Sequence, residues 1–196
     1  MDTDTDPRAL FDATLVQTIA LHEKARQDPA HVLAAAGAII EAFRKGGTLL
    51  LFGNGGSASD AQHVAAEFVG RFQVERKALP AIALTTDTSI LTAIGNDYHF
   101  DRVFVRQIEA LGRPGDVALG ISTSGESPNV VAALEEAKLR GLQTIALTGK
   151  DSGAMGRAAA IHINVPSVST ARIQEVHRTL LHVICDIVER AISESL

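Results

Sequence analysis

Apolar and polar positions along the chain follow one period before Gly46-Gly47 and another after it. Before these glycines, the segment from about Arg8 to Arg26 has helical spacing, and the alanine-rich run His31 to Lys45 has the same character. Between them, Asp28-Pro29 predicts an N-cap followed by proline at the first helical position. We therefore expect two N-terminal helices, over about residues 8–45.

After the paired glycines, short apolar runs alternate with helical segments. The runs are mostly continuous in their apolar character, which is typical of parallel strands that are covered on both faces. The five predicted strands are Thr48–Phe52, Ala81–Leu84, Val117–Ile121, Thr144–Leu147 and Ile161–Val165.

The segments between these strands are predicted to be helical, and a long helix is predicted to end the chain. Strand–helix alternation of this kind predicts a doubly wound α/β sheet with helices on both faces, whose ligands bind at the carboxyl ends of the strands. We expect one three-layer domain over residues 1–196, with an α/β core from about residue 48. The predicted helices are Ser57–Phe72, Thr88–Leu111 (split near Gly95-Asn96-Asp97), Ser127–Arg140, a short turn near Met155, and Thr170–Ser193.

Composition and charge narrow the class of protein. Hydrophobic residues make up 46% of the chain and charged residues 21%, with a net charge of −5. The chain has no basic stripe, so we expect no nucleic-acid partner. It also has no apolar run long enough to span a membrane, so we expect no membrane partner. The acidic N-terminus does not resemble a signal peptide, and the single cysteine, Cys185, lies in an apolar run where a buried helix position is expected. We expect a cytoplasmic protein.

Two strand-to-helix turns are rich in glycine and serine. Gly53-Asn54-Gly55-Gly56-Ser57 follows the first strand, and on its own it is as compatible with an ordinary turn as with a ligand site. Ser122-Thr123-Ser124-Gly125-Glu126-Ser127 follows the third strand and carries four hydroxyl groups, whereas one would be enough to cap the next helix. Phosphate binding through hydroxyls, loop amides and a helix N-terminus is favoured over a solvated turn.

The serine-rich turn, at the end of a strand in a five-stranded sheet, resembles the phosphate-binding loop of the sugar isomerase (SIS) domain family. The resemblance to the phosphoheptose isomerase branch extends over nearly the whole chain, since motifs of that branch occur in order. They are Gly53–Ser57, Leu84–Ser89, Gly95-Asn96-Asp97, Gly120–Gly125, Leu147–Lys150 and Arg172–Glu175.

The resemblance implies a zinc site with one ion per subunit. His63 and Glu67 are four residues apart and share a helix face, although two such residues alone are more often a surface pair. The family binds zinc through this H-x-x-x-E pair and through a glutamine and a histidine of the last helix, which match Gln174 and His182. A buried structural position is the alternative for His182.

The two matched residues of the last helix, Gln174 and His182, are eight positions apart, which is a rise of about 12 Å. They could bind one ion by leaning towards each other at near full extension, by a distortion of the helix, or from two copies of the chain. The resemblance implies a homotetramer with active sites at subunit interfaces, which is compatible with the last of these.

The resemblance also implies an aldose–ketose isomerase acting through an enediol, with Glu67 and His182 as the acid–base pair and zinc polarising the substrate oxygens. Asp60 and Asp97 are further candidates for ring opening, although a first-turn helix aspartate and a turn residue are the plainer interpretations; His177 is expected to be structural or at the surface. The residues predicted to contact substrate are Asn54, Gly55, Gly56, Ser57, Glu67, Asn96, Asp97, Ser122, Thr123, Ser124, Ser127 and Gln174.

The implied substrate is sedoheptulose 7-phosphate and the implied product D-glycero-D-manno-heptose 7-phosphate, a precursor of nucleotide-activated heptose for surface polysaccharide. Two alternatives are open. One is a non-catalytic SIS relative that binds the bacterial replication initiator protein, although such relatives lack the residues that match Glu67 and His182. The other is an SIS isomerase for a pentose or hexose phosphate.

Overall fold

The computed structural model describes residues 6–193, so nearly all of the acidic N-terminal stretch noted above lies outside it. Over the described residues the chain forms eight α-helices, one 3-10 turn and five strands. In order these are α1 Pro7–Gln27, α2 Ala30–Arg44, β1 Leu49–Gly53, α3 Gly56–Val69, β2 Ala81–Ala83, α4 Thr88–Asp97, the 3-10 turn Phe100–Arg102, α5 Val105–Leu111, β3 Val117–Ser122, α6 Pro128–Leu139, β4 Gln143–Gly149, α7 Gly153–Ala158, β5 Ile161–Val165 and α8 Thr170–Ser193.

The strands form one parallel sheet in the order β2-β1-β3-β4-β5, which confirms the predicted fold class. Strand β1 lies between β2 and β3, with Leu51 opposite Ala83 on one side and Leu119 on the other. The chain therefore winds outward in both directions from β1 and β3. In sheets of this order, ligands bind where the carboxyl ends of those two strands diverge.

Helices cover both faces of the sheet because side chains of a strand alternate between its faces. Leu49 and Leu51 of β1 are fully buried in a cluster with residues of α2, α3 and α8. Leu50 and Phe52 are buried in a second cluster with residues of α5, α6 and α7. Both faces of β1 are thus buried, which explains its unbroken apolar sequence.

Most helix ends lie within about one residue of the predicted ones, and the largest difference is at the end of α3. Helix α3 ends at Val69 and not at Phe72, because Gly70 closes its last turn by donating to the carbonyl of Ala66 at 2.9 Å. The predicted start of α2 is wrong by one position: the helix begins at Ala30, so Pro29 and not Asp28 is its N-cap. The Asp28 carboxylate still accepts the Ala30 N–H at 3.3 Å. The predicted division of residues 88–111 into two helices is confirmed.

Helix α1 lies outside the sheet layers and packs on α8. The Thr18 hydroxyl donates to Glu175 at 2.7 Å, and His22 Nε2 lies 2.8 Å from the Thr179 hydroxyl. Leu15 and Ile19 of α1 are nevertheless exposed, by 46% and 59%. Among the described residues, no helix combines the length and the apolar character that crossing a bilayer requires.

Candidate active site

The two glycine- and serine-rich turns lie side by side at the divergence of β1 and β3. Each is followed directly by a helix, α3 or α6, whose first backbone N–H groups have no partner within the helix. A cavity of about 300 Å³ opens between the turns. Its lining residues, none of them charged, are Asn54, Gly55, Gly56, Ser57, Ile121, Ser122, Thr123, Ser124, Ser127, Thr170 and Gln174.

Hydroxyl groups in the second turn are connected to one another. The Ser122 Oγ atom lies 3.1 Å from Ser124 Oγ and 2.8 Å from Ser127 Oγ, and Ser124 Oγ also accepts the N–H of Glu126 at 3.2 Å. The side-chain amides of Asn54, in the first turn, and Asn129, at the start of α6, pair reciprocally at 2.9 Å and join these two segments. The cavity therefore offers hydroxyls and helix N-termini, which suit a phosphate dianion.

The second turn needs glycine at position 125. Gly125 has φ +69°, and a Cβ atom there would lie 2.3 Å from the carbonyl oxygen of Ser152. The turn thus packs against the start of α7, where the Glu126 carboxylate also accepts the N–H of Ala154 at 2.9 Å. This close packing fixes the hydroxyl groups in position.

Gln174 of α8 closes one side of the cavity by lying over Gly56. A Cβ atom on Gly56 would lie 2.5 Å from Gln174 Nε2, so only glycine allows this approach. Gly56 precedes His63 by seven residues, a rise of about 10 Å along α3. Within this chain, the structure therefore places Gln174 beside the glycine-rich turn that contains Gly56.

His63, Glu67 and His182 come together two turns further along α3. The Nε2 atoms of His63 and His182 are 2.8 Å apart, and His63 Nε2 lies 3.3 Å from Glu67 Oε1. One ligand atom from each of the three residues lies within 4.8 Å of the others, and all three side chains are partly buried. Two imidazole nitrogens and a carboxylate oxygen form a donor set that fits Zn²⁺.

The cluster arises because one face of α3 meets one face of α8. His63 and Glu67 are on consecutive turns of α3, and His182 is on the facing side of α8. One turn earlier, Arg178 donates through Nε and Nη2 to Asp60 Oδ1, at 3.0 and 2.5 Å. Asp60 is 3% exposed, so this ion pair explains its buried carboxylate. No contact among the described residues tests a role of Asp60 in ring opening, so that role stays a prediction.

Asn96 and Asp97 are the last two residues of α4. The Asn96 amide donates to Asp97 Oδ1 at 2.8 Å, and both residues are exposed. Neither lines the cavity between the turns. The contacts with substrate that the resemblance implies for them stay predictions.

His177 and Cys185 are buried on α8 and face the protein interior. His177 Nε2 lies 2.8 Å from the Thr148 carbonyl oxygen and donates to it, and burial lowers the pKa of the ring to about 4. Burial, together with the charges of Glu67 and Glu189, raises the pKa of the Cys185 thiol to about 12. The inert, buried position predicted for Cys185 is confirmed.

Sequence reasoning missed three charged residues near the site: Arg178, Arg76 and Glu189. A signal for Arg178 was available, since it lies four residues after Gln174 and four before His182 and therefore shares their helix face. Arg76 is in the loop after α3 and Glu189 is near the end of α8, and no spacing in the sequence connects them.

Comparison with known proteins agrees with this arrangement. A family model described as the SIS domain matches residues 16–149. A phosphoheptose isomerase of Roseiflexus sp. (strain RS-1) is 60% identical over 163 residues, which is 83% of each chain. That of Aquifex aeolicus is 57% identical over 163 residues, covering 83% of this chain and 85% of its own.

Solved structures show the same likeness. A phosphoheptose isomerase from Neisseria gonorrhoeae superposes with a TM-score of 0.89 at 44% identity, over 94% of this chain and all of that one. One from Francisella tularensis superposes with a TM-score of 0.87 at 37% identity, over 97% of this chain and all of that one. The chain therefore belongs to the SIS domain family. Within that family, it groups with the phosphoheptose isomerases.

Proposed function

We propose that this chain is an aldose–ketose isomerase that converts D-sedoheptulose 7-phosphate into D-glycero-D-manno-heptose 7-phosphate through an enediol. The observation that carries the proposal is the approach of His63, Glu67 and His182 beside a hydroxyl-rich cavity on a fold shared with phosphoheptose isomerases. The product would be the first intermediate towards nucleotide-activated heptose, in the cytoplasm.

The separation between cavity and cluster suits a long sugar phosphate. Ser57 borders the cavity and precedes His63 by six residues, a rise of about 9 Å along α3. This distance is comparable to the extended length of a seven-carbon sugar. A phosphate held at the two turns would therefore leave the C1–C2 end of the substrate near the cluster.

His63, Glu67 and His182 would hold one Zn²⁺ per subunit. When bound, the ion supplies Lewis acidity that polarises the carbonyl and hydroxyl oxygens of the substrate. Gln174, the fourth predicted ligand, lies over Gly56 in this chain, so of the alternatives above we favour its contribution from a second copy.

Glu67 and His182 would move the protons. Glu67 takes the C1 proton of the ketose and returns a proton to C2, while His182 gives a proton to O2 and accepts one from O1. The sum of these transfers exchanges ketose for aldose and leaves the protein unchanged. Because a carboxylate has two oxygens, one oxygen of Glu67 can face the cation while the other faces the substrate.

We further propose a homotetramer with active sites at subunit interfaces. Helix α1 contributes no buried residue, and its exposed apolar side chains include Phe11 at 57% in addition to Leu15 and Ile19. Residues four apart on a helix share a face, so these three form an apolar stripe of the kind that association covers. Light scattering coupled to gel filtration measures the subunit number.

The test of the function is turnover of sedoheptulose 7-phosphate in D₂O, followed by proton NMR. We expect an aldose signal, deuterium at C2, and slower turnover of pentose and hexose phosphates. Tight binding of the replication initiator protein with no turnover of any sugar phosphate by zinc-loaded protein would support the regulator instead. That alternative is not favoured, since Glu67 and His182 are both present and the similar proteins are named as isomerases.

A further inference from the structure

A buried ion pair links the loop after α3 to the end of α8. Arg76 Nε lies 3.2 Å from Glu189 Oε1, and the two side chains are 1% and 0% exposed. The Nε–H group does not point at a hydrogen-bond acceptor within the described residues, so this contact is chiefly electrostatic. Burying two charges is costly, and such pairs persist where other groups also satisfy them.

Arg76 binds the C-terminal turn of α3. Its Nη2 donates to the carbonyl of Glu67 at 2.8 Å, and its Nη1 donates to the carbonyl of Phe68 at 2.7 Å and to that of Gly70 at 3.1 Å. The last carbonyls of a helix have no partner within the helix, so one guanidinium here caps several of them. Arg76 therefore holds the backbone of Glu67 directly, and the carboxylate of Glu67 belongs to the proposed metal site.

Glu189 binds the loop that follows. Its carboxylate accepts the N–H groups of Phe72, Gln73 and Val74 at 2.8, 2.7 and 3.0 Å. The Phe72 ring in turn lies against His182, with ring centroids 5.5 Å apart. Glu189 follows His182 by seven residues on α8, which is about two helical turns.

We propose that the Arg76–Glu189 pair positions the His63–Glu67–His182 cluster for metal binding. The inference rests on the proposed zinc site and deepens it. Arg76 fixes the turn that carries Glu67, and Glu189 fixes Phe72 against His182. The pair therefore sets the position of the metal ligands on α3 relative to the metal ligand on α8. Arg76 and Glu189 are positioning residues, since neither side chain reaches the ligand atoms.

The test compares Zn²⁺ affinity, measured by competition with a chromophoric chelator, for wild type, Glu189→Gln and Arg76→Lys. Removing groups that orient metal ligands typically weakens binding by about 10-fold to 100-fold, and we expect Glu189→Gln to fall in this range. Arg76→Lys retains the charge but loses the fork of donors, so we expect a smaller loss of affinity. With Co²⁺ as the probe, the visible absorption of Glu189→Gln should change, because the ligand geometry changes.

A stability control separates positioning from general weakening. Leu134 is a fully buried residue of α6, on the opposite face of the sheet. Leu134→Ala therefore opens a cavity and lowers the midpoint of urea unfolding without touching α3 or α8. We expect it to bind Zn²⁺ as wild type does. Asp186→Asn, which removes an exposed charge from α8, should also bind as wild type.

Two results would overturn the inference while the zinc site stands. The first is a Glu189→Gln protein that circular dichroism shows to be folded and that binds Zn²⁺ with the affinity of wild type. The second is a loss of Zn²⁺ affinity in Leu134→Ala as large as the loss in Glu189→Gln. If wild type itself binds no Zn²⁺, the proposed metal site fails and takes the inference with it, which is a different outcome from either of these.

Discussion

The Nε2 atoms of His63 and His182 lie 2.8 Å apart, although the two residues are 119 positions apart in the chain. The contact joins α3, which starts at the turn Gly53–Ser57, to α8, which closes the other side of the cavity. Because Glu67 Oε1 approaches the same point, three possible ligand atoms from two helices converge on it. Convergent side chains held by a rigid framework are characteristic of metal and catalytic sites.

Replacing the Glu67 carboxylate by an amide should separate catalysis from binding. Glu67→Gln retains the size of the side chain but cannot accept the C1 proton, so we expect turnover to fall by about 10²- to 10⁴-fold or more. Binding of sedoheptulose 7-phosphate, measured by calorimetry, should remain detectable. Glu41→Gln, which alters an exposed carboxylate of α2, is the control and should turn over normally. Unchanged turnover in Glu67→Gln would remove this residue from the mechanism.

The hydroxyl groups of the second turn should act on substrate affinity. Ser124→Ala removes one donor to the phosphate, and a hydrogen bond to a charged group contributes about 1.5–3 kcal/mol. We expect KM to rise about 10-fold to 100-fold, with a smaller change in kcat. Thr92→Ala removes a hydroxyl that bonds its own helix at the Thr88 carbonyl, and it should leave KM unchanged. A KM for Ser124→Ala equal to that of wild type would place the phosphate elsewhere.

Two glycine-to-alanine changes should have opposite effects on stability. In Gly125→Ala the new methyl group would lie 2.3 Å from the Ser152 carbonyl at a positive φ, so we expect lower stability and weaker substrate binding. In Gly37→Ala the methyl group meets no atom within 4 Å inside α2, and the change should stabilise the protein by about 0.5–1 kcal/mol. Urea unfolding measures both, and a stable Gly125→Ala with normal KM would contradict the account.

The buried ring of His177 should make stability depend on pH. Its pKa is about 4 in the folded protein, whereas the ordinary value of 6.5 applies to the unfolded chain. The unfolded chain therefore takes up a proton first as the pH falls. The free energy of unfolding should therefore decrease from pH 6.5 towards pH 4, by about 2 kcal/mol at pH 5 from this group.

The measurement for His177 is urea unfolding of metal-free protein at pH 8 and pH 5, in wild type and in His177→Gln. Glutamine retains a donor for the Thr148 carbonyl but does not titrate, so the difference between the two pH values should shrink in the variant. The same pH dependence in both proteins would show that the ring is not buried in its neutral form.

Much of the fold could be predicted because its signals are local. The strands follow from short apolar runs, and most of the helices begin beside a glycine, serine or proline. The order of strands in the sheet depends on contacts between distant segments, as when Leu51 pairs with both Ala83 and Leu119. No periodicity of the sequence records such pairings.

The candidate site was predictable to a similar degree. The spacing of His63 and Glu67 identifies a shared helix face, and family motifs identify the turns that line the cavity. That the face of α3 meets His182 depends on how both helices pack on the sheet. The Arg76–Glu189 pair could not be found from sequence, since its residues are 113 positions apart and each resembles a surface charge.

Zinc and substrate can be located together by a crystal structure of the protein grown with Zn²⁺ and soaked with sedoheptulose 7-phosphate, with anomalous diffraction recorded at the zinc edge. The proposed site predicts an anomalous peak between His63, Glu67 and His182, and a phosphate between residues 53–57 and 122–127. A sugar phosphate bound away from these turns, with no metal near the two histidines, would contradict it.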